Sequence, residues 1–245
     1  TTPSTVAFDG SSGSLGSISA TVFVEETYDM VNNELIITDS RLLSKDEVMA
    51  IGVDNFAPLS EVPMPRAATI TRGRLTITFS GVYNTSNGVS CNLTGTAHWD
   101  DSGLHTEGEN YCATGEDFIG VTWSGSFTAK SHSISGKNQL GGALTIYNSD
   151  STPNAGRVWS FKDSNPTSKY TLYAKDINLN VNISKNTLTG NGNTAEAVLK
   201  YIHTYSKVKG SISITPGSET VAGSFSLSNT DRQWSLVCTV TNIPY

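Results

Sequence analysis

From Arg74 onward, apolar and polar positions alternate with a period of two, the mark of strands that bury one face. Leu75, Ile77 and Phe79 face one way, and Thr76, Thr78 and Ser80 the other. Asn84-Thr-Ser-Asn-Gly88 reads as a turn, after which Val89, Cys91, Leu93, Ala97 and Trp99 continue the inward set. Ile119, Val121, Trp123, Phe127 and Ala129 repeat the pattern. So do Ile177, Leu179, Val181 and Ile183, whose outward partners are Asn178, Asn180 and Asn182. Ile212 and Ile214 lead into a Pro216-Gly217 turn, Val221, Phe225 and Leu227 return, and Trp234 to Val240 closes the chain.

Strands of about eight to eleven residues joined by short polar turns predict antiparallel neighbours. The expected fold is therefore all-β, an antiparallel meander built as an up-and-down barrel or a coiled sandwich, with the barrel preferred. Inward glycines (Gly95, Gly125, Gly142, Gly223) suit the bends of a curved sheet.

Before Arg66 the pattern loosens. Residues Ile18 to Val24 alternate, and Glu34 to Ile37 is apolar. Ser44-Lys-Asp-Glu47 is a capping box that opens a short helix through Ile51. Pro58, Pro63 and Pro65 mark a connector, because proline does not fit a central strand. The chain thus divides into a smaller strand-rich N-terminal segment, 1–66, and a barrel or sandwich domain, 67–245. A second short helix is expected after Asn193-Thr-Ala-Glu196, where Val198, Leu199 and Ile202 have helical spacing and His203 ends the run.

Composition adds a location. Only 16% of the 245 residues are charged, against roughly a quarter in an average soluble domain. Ser, Thr and Asn, with 22 Gly, carry the solubility instead, which points outside the cytoplasm, to an extracellular, cell-surface or periplasmic protein. A net charge of −6 excludes nucleic-acid binding, which needs clustered Lys and Arg. Lys200, Lys207 and Lys209 form the closest basic group and are too few. No apolar run approaches the ~18 residues of a membrane helix. The opening Thr-Thr-Pro-Ser-Thr reads as a trimmed terminus, which would suit a tether after a processed or lipid-modified residue.

Three cysteines allow one disulfide. Cys91 and Cys112 flank a polar loop and are the expected pair. Cys238 shares strand parity with Trp234, Leu236 and Val240 and reads as a buried inert thiol, with Cys91 as its alternative partner.

That loop holds the densest candidate chemistry. His98, Asp100, Asp101, His105, Glu107 and Glu109 are the candidate binding residues. Oxygen-rich loops suit calcium, and two histidines with a carboxylate suit zinc. No established metal spacing is present, so the expectation is a solvated acidic hairpin loop and no cofactor. Asp100 or Asp101 with Glu107 or Glu109 is also the one carboxylate cluster from which a glycosidase would be built. No Gly-x-Ser-x-Gly, His-Glu-x-x-His or phosphate-binding loop occurs. Gly190-Asn-Gly-Asn-Thr-Ala195 mimics a dinucleotide fingerprint but lies in no βαβ unit. Of the remaining histidines, His132 is placed in a turn.

The second part resembles, in texture, the β-barrel domains of bacterial surface lipoproteins that pair a barrel with a smaller strand-rich domain; no motif carries that resemblance to particular residues. The functional expectation is a non-catalytic secreted or cell-surface adhesion protein whose partner is a glycan, matrix or surface protein. The alternatives are a barrel carrying a small apolar or lipid ligand, and a secreted β-pore-forming toxin.

Overall fold

The computed structural model describes residues 11–31, 34–53, 69–100, 115–166, 171–186, 192–205, 210–228 and 232–245. The chain runs β1 (Ser12–Val31), β2 (Glu34–Leu42), α1 (Lys45–Ile51), β3 (Thr69–Asn84), β4 (Val89–Trp99), β5 (Asp117–Trp123) and β6 (Thr128–Asn138). It continues with β7 (Ile146–Thr152), β8 (Gly156–Phe161), β9 (Ser164–Pro166), β10 (Thr171–Lys185) and β11 (Thr194–Thr204). β12 (Ser211–Thr215), β13 (Ser224–Ser228) and β14 (Gln233–Pro244) complete it.

The fold is all-β and antiparallel, but it is not a closed barrel. Strands β2-β1-β3-β4-β10-β6 form one sheet, with β9 paired to the start of β10. Strands β14-β11-β5-β8-β7 form the second, and β12-β13 a separate ribbon. Of the two expected architectures the sandwich is the one formed. The chain crosses between sheets at β4–β5, β5–β6, β6–β7, β8–β9 and β10–β11, so it does not meander. Turn residues reveal that a strand ends; they do not say which sheet the next strand joins. β1 and β2 lie in the same sheet as β3 and β4, with β1 paired to β3 along most of its length.

The inner faces carry the alternation read from the sequence. Leu75, Ile77, Phe79 and Leu93 meet Val121, Trp123, Leu199 and Val240 in one core. Trp123, Phe79 and Phe127 are fully buried within it. Gly95 leaves room for the facing sheet: a Cβ there would lie 2.8 Å from Leu199 Cδ1 of that sheet and 3.1 Å from Leu179 Cδ1 on the neighbouring strand. A second small core forms outside the other sheet, where Ile214, Phe225 and Leu227 of the ribbon cover Phe118, Val158 and Ile202.

Local signals near α1 and the β3–β4 turn act as expected. Ser44 Oγ accepts from the Glu47 N–H at 3.3 Å, and Glu47 returns a bond to the Ser44 N–H at 2.8 Å. Gly88 has φ +81°, and a Cβ there would press to 2.5 Å from the Lys185 carbonyl, so only glycine fits this turn.

Three expectations need correction. The segment expected to open a second helix is β11, because β5 and β14 hydrogen-bond it on both sides. Those ladders outweigh the local capping preference. Cys91 is a free thiol buried in the core, so the expected disulfide to Cys112, which lies outside the described residues, is not supported. Cys238 is likewise free and buried, its thiol directed at the Ile77 carbonyl at 3.8 Å. The carrier alternative needed a closed barrel with internal space; the sheets do not close, and aromatic and branched side chains fill the gap between them.

Two measurements check this packing. Gly95→Val forces extra atoms between Leu199 and Leu179 and should cost about 1–3 kcal/mol in urea denaturation, by the usual scale for overpacked cores. Unchanged stability would mean the sheets are not in contact at Gly95. Burial pushes the Cys91 thiol up to about 12, so iodoacetamide should label Cys91 and Cys238 only after unfolding, with no reductant needed.

Candidate functional site

His98 and Asp100, the first two candidate binding residues, stand at the end of β4 on the outer face of the larger sheet. His98 Nδ1 lies 2.6 Å from Asp176 Oδ1 on β10, and its Nε2 lies 3.5 Å from Asp100 Oδ1. Arg74 donates to Asp100 through Nε. The structure therefore joins His98 and Asp100 and adds Arg74 and Asp176, which the linear sequence did not connect. All four are partly exposed. Asp101, His105, Glu107 and Glu109 lie outside the described residues. β4 and β5 belong to different sheets, so the segment carrying these residues joins sheets and is not the hairpin loop that was expected. His132, placed in a turn by its sequence, lies within β6 and faces Arg157 Nη1 at 3.0 Å.

Inside the same end of the sandwich is a polar cluster that sequence reading missed. His203, expected at the end of a helix, is on β11 and only 2% exposed. Its Nε2 lies 2.9 Å from Glu26 Oε1 on β1. Its Nδ1 faces Asp117 Oδ2 on β5 at 3.1 Å and Asp163 Oδ2 at 3.7 Å. Tyr28 donates to Glu26 Oε2 at 2.7 Å, Tyr201 to Asp117 Oδ2 at 2.5 Å, and the Thr204 N–H to Asp117 Oδ1 at 3.0 Å. Trp99 Nε1 donates to the Tyr201 oxygen at 3.2 Å, and Trp234 lies over the imidazole with ring centroids 4.9 Å apart.

Strand parity explains the geometry. Glu26 follows Val22 and Val24 on the inner face of β1, and His203 follows Leu199 and Tyr201 on β11. The available signal was a charged residue breaking an inward apolar series. Asp163 carried no such signal, since it sits between β8 and β9.

Burial by itself would push the His203 imidazole down. The Asp117 charge and the hydrogen bonds with Asp117 and Glu26 outweigh burial and hold it well above the ordinary 6.5. Burial pushes Tyr201 up, and the adjacent Asp117 charge pushes it further, so it stays a neutral phenol that donates. Asp117, Asp163 and His203 also place three metal-ligating atoms within 4.8 Å of one another.

The outer face of the larger sheet is the second feature. Paired strands line up Ser19, Thr78, Thr96, Asn178 and Ser135 in one row. Ser17, Ser80, Thr94, Asn180 and Ser133 form the next. Every side chain in both rows is a hydroxyl or an amide, and none is fully buried. Several bond to each other across strands, Ser19 to Thr78 at 2.8 Å and Asn180 Nδ2 to Thr94 Oγ1 at 3.2 Å. The strand spacing sets these groups on a grid of roughly 5 by 7 Å. A cleft of about 330 Å³ between Trp123, Asn154 and Pro216–Glu219 lies at the far end of β5 from the polar cluster.

No helix among the described residues is long and apolar enough to cross a membrane. No family model matches the chain, and no curated protein matches it. Among solved structures, one titled "pH-induced modulation of Streptococcus parasanguinis adhesion by Fap1 fimbriae" is similar at 10% identity over 93% of this chain and 96% of that one, with a TM-score of 0.31. Another, titled as manganese lipoxygenase of Gaeumannomyces graminis with partial zonadhesin of Komagataella pastoris, has 9% identity over 93% and 86%, with a TM-score of 0.26. The class defined by the fold itself is a two-sheet antiparallel sandwich with a covering ribbon.

His203 gives a pH dependence with a definite sign. The folded state binds its proton more tightly than the unfolded chain does. The resulting stability is complete below the unfolded value of about 6.5 and is lost as pH rises through the folded one. Urea midpoints in EDTA-containing buffer should therefore fall as pH rises above about 6.5, and His203→Gln should flatten that slope. The same variant leaves buried carboxylates without their cation and should lose about 3–5 kcal/mol. A wild-type midpoint that rises with pH over this window would refute the assignment.

Proposed function

We propose that the protein is a non-catalytic binding module of the cell surface or extracellular space that holds a polyhydroxylated ligand, a glycan or glycan-bearing matrix, on the outer face of the larger sheet. The observation that carries this reading is the pair of hydroxyl and amide rows running across five strands. Hydroxyls both donate and accept, and amides offer one group of each kind. Such a surface pairs with sugar hydroxyls directly or through bridging water. It avoids the desolvation cost of charged groups. Each contact is weak, so useful affinity comes from many at once, as repeated ligands or repeated copies supply. The sparse charge and Ser, Thr and Asn richness of the whole chain support the same setting. The outer face of the other sheet is less open, because the β12–β13 ribbon packs on it.

A glycan array followed by titration on the best polysaccharide tests this. Wild type should bind at least one glycan class, and Thr96→Lys with Asn180→Lys, which raises two charged stems from the centre of the face, should weaken binding at least tenfold without altering the circular dichroism spectrum. Binding left intact in that variant would place the ligand elsewhere, and silence across the array would remove the glycan reading.

A further inference from the structure

We propose that Asp117, Asp163 and His203 form a zinc-class metal site buried between the sheets, with Glu26 as the residue that orients the histidine. Zinc binds nitrogen and carboxylate oxygen at about 2.0–2.2 Å, so tetrahedral ligand atoms sit roughly 3.4 Å apart. Here Nδ1 of His203 is 3.1 Å from Asp117 Oδ2 and 3.7 Å from Asp163 Oδ2, distances that bracket that spacing. None of the three ligand atoms is more than 4.8 Å from another.

The surroundings match what a metal-bound histidine requires. Its second nitrogen normally donates to a carboxylate or carbonyl, which fixes the ring and its tautomer. Nε2 faces Glu26 Oε1 at 2.9 Å, and Tyr28 anchors the other Glu26 oxygen at 2.7 Å. With the proton held on that side, Nδ1 is the atom presented to the two aspartates. Asp117 is oriented in the same way: the Thr204 N–H holds Oδ1 at 3.0 Å, leaving Oδ2 toward His203. The Tyr201 hydroxyl donates to the same Oδ2 at 2.5 Å and fixes it further.

Ligand type selects the metal class. Calcium takes six to eight oxygens and magnesium keeps several waters. A small buried set with one imidazole suits zinc or a neighbouring transition ion. Exchange of the Nδ1 proton for a dication also raises the positive charge facing Glu26, Asp117 and Asp163 from one to two. The ion would tie β5 and β11 of one sheet to the β8–β9 connection, which runs between the sheets, and through His203 and Glu26 it would brace β1 of the other. Its role is structural.

Tag-free protein is stripped with EDTA, exchanged into metal-free buffer and titrated with zinc chloride by calorimetry; elemental analysis follows gel filtration. One zinc per chain and a melting temperature several degrees higher are expected, because a ligand that binds only the folded state stabilises it. Cobalt(II) added in place of zinc should show the visible bands of a tetrahedral ion, a readout that needs no variant. Asp163→Asn should abolish stoichiometric binding. Glu26→Gln, which keeps the ligands and loosens the histidine, should weaken affinity about 10–100-fold. If wild type retains no zinc and its melting temperature does not move, the proposal fails. It fails equally if folded Asp163→Asn binds zinc as wild type does, which would place the metal elsewhere.

Discussion

Glu26 and His203 meet across the gap between the two sheets, and the arrangement of that end of the sandwich depends on their contact. Taking charged groups out of water costs several kcal/mol each, and a buried ionic group persists only when its partners are in place. Tyr28, Tyr201 and the Thr204 N–H supply them. Among the described residues, Arg157 Nε is the one buried side-chain polar atom without a hydrogen bond, and it lies outside the cluster. Because side chains alternate along a strand, a slip of one residue in β1 or β11 would turn Glu26 or His203 to the opposite face. The cluster therefore fixes register as well as contact, a constraint that apolar packing alone enforces less sharply.

The rest of the interior is ordinary sandwich packing, and the two outer faces differ for a reason visible in their residues. On β11, Val198, Lys200 and Ile202 alternate with an inward series, so its outward side is partly apolar and needs cover. Phe225 and Leu227 of the ribbon provide it over Phe118, Val158 and Ile202. The Lys200 ammonium, 5.4 Å from the Phe225 ring centre, donates to the Phe225 carbonyl at 2.8 Å and holds the ribbon down. In the two central rows on β3, β4 and β10 the outward side is Thr, Asn and Ser, which water satisfies. That sheet can present a broad neutral surface.

These two features sit in different chemical settings. The neutral rows lie on the outside, where many weak hydrogen bonds suit an extended ligand. The His203 cluster is sealed inside, where every interaction is strengthened by low dielectric and acts on the union of the sheets. The His98, Asp100, Asp176 and Arg74 group stands at one margin of the neutral face, and its exposed ion pairs contribute little to stability.

Strand content, the inward apolar set, the capped helix α1 and the Asn84–Gly88 turn were all legible in the sequence, because each depends on residues near one another in the chain. Period-two alternation identifies what points inward whatever the strand pairs with. It could not identify the pairing: β4 and β5 follow one another in sequence yet lie in different sheets, and crossing between sheets leaves no local mark. For the same reason β11 passed for a helix, its short-range spacing suiting either form until β5 and β14 supplied ladders on both sides. Cys91 and Cys112 seemed paired because they flank one segment, whereas Cys91 is turned by strand parity into the apolar core. The site divides along the same line. Outward Asn and Thr were readable strand by strand, but their alignment into rows required the register of five strands. Glu26, Asp117, Asp163 and His203 lie far apart in the chain. Only the packing of one sheet on the other brings them within hydrogen-bond reach.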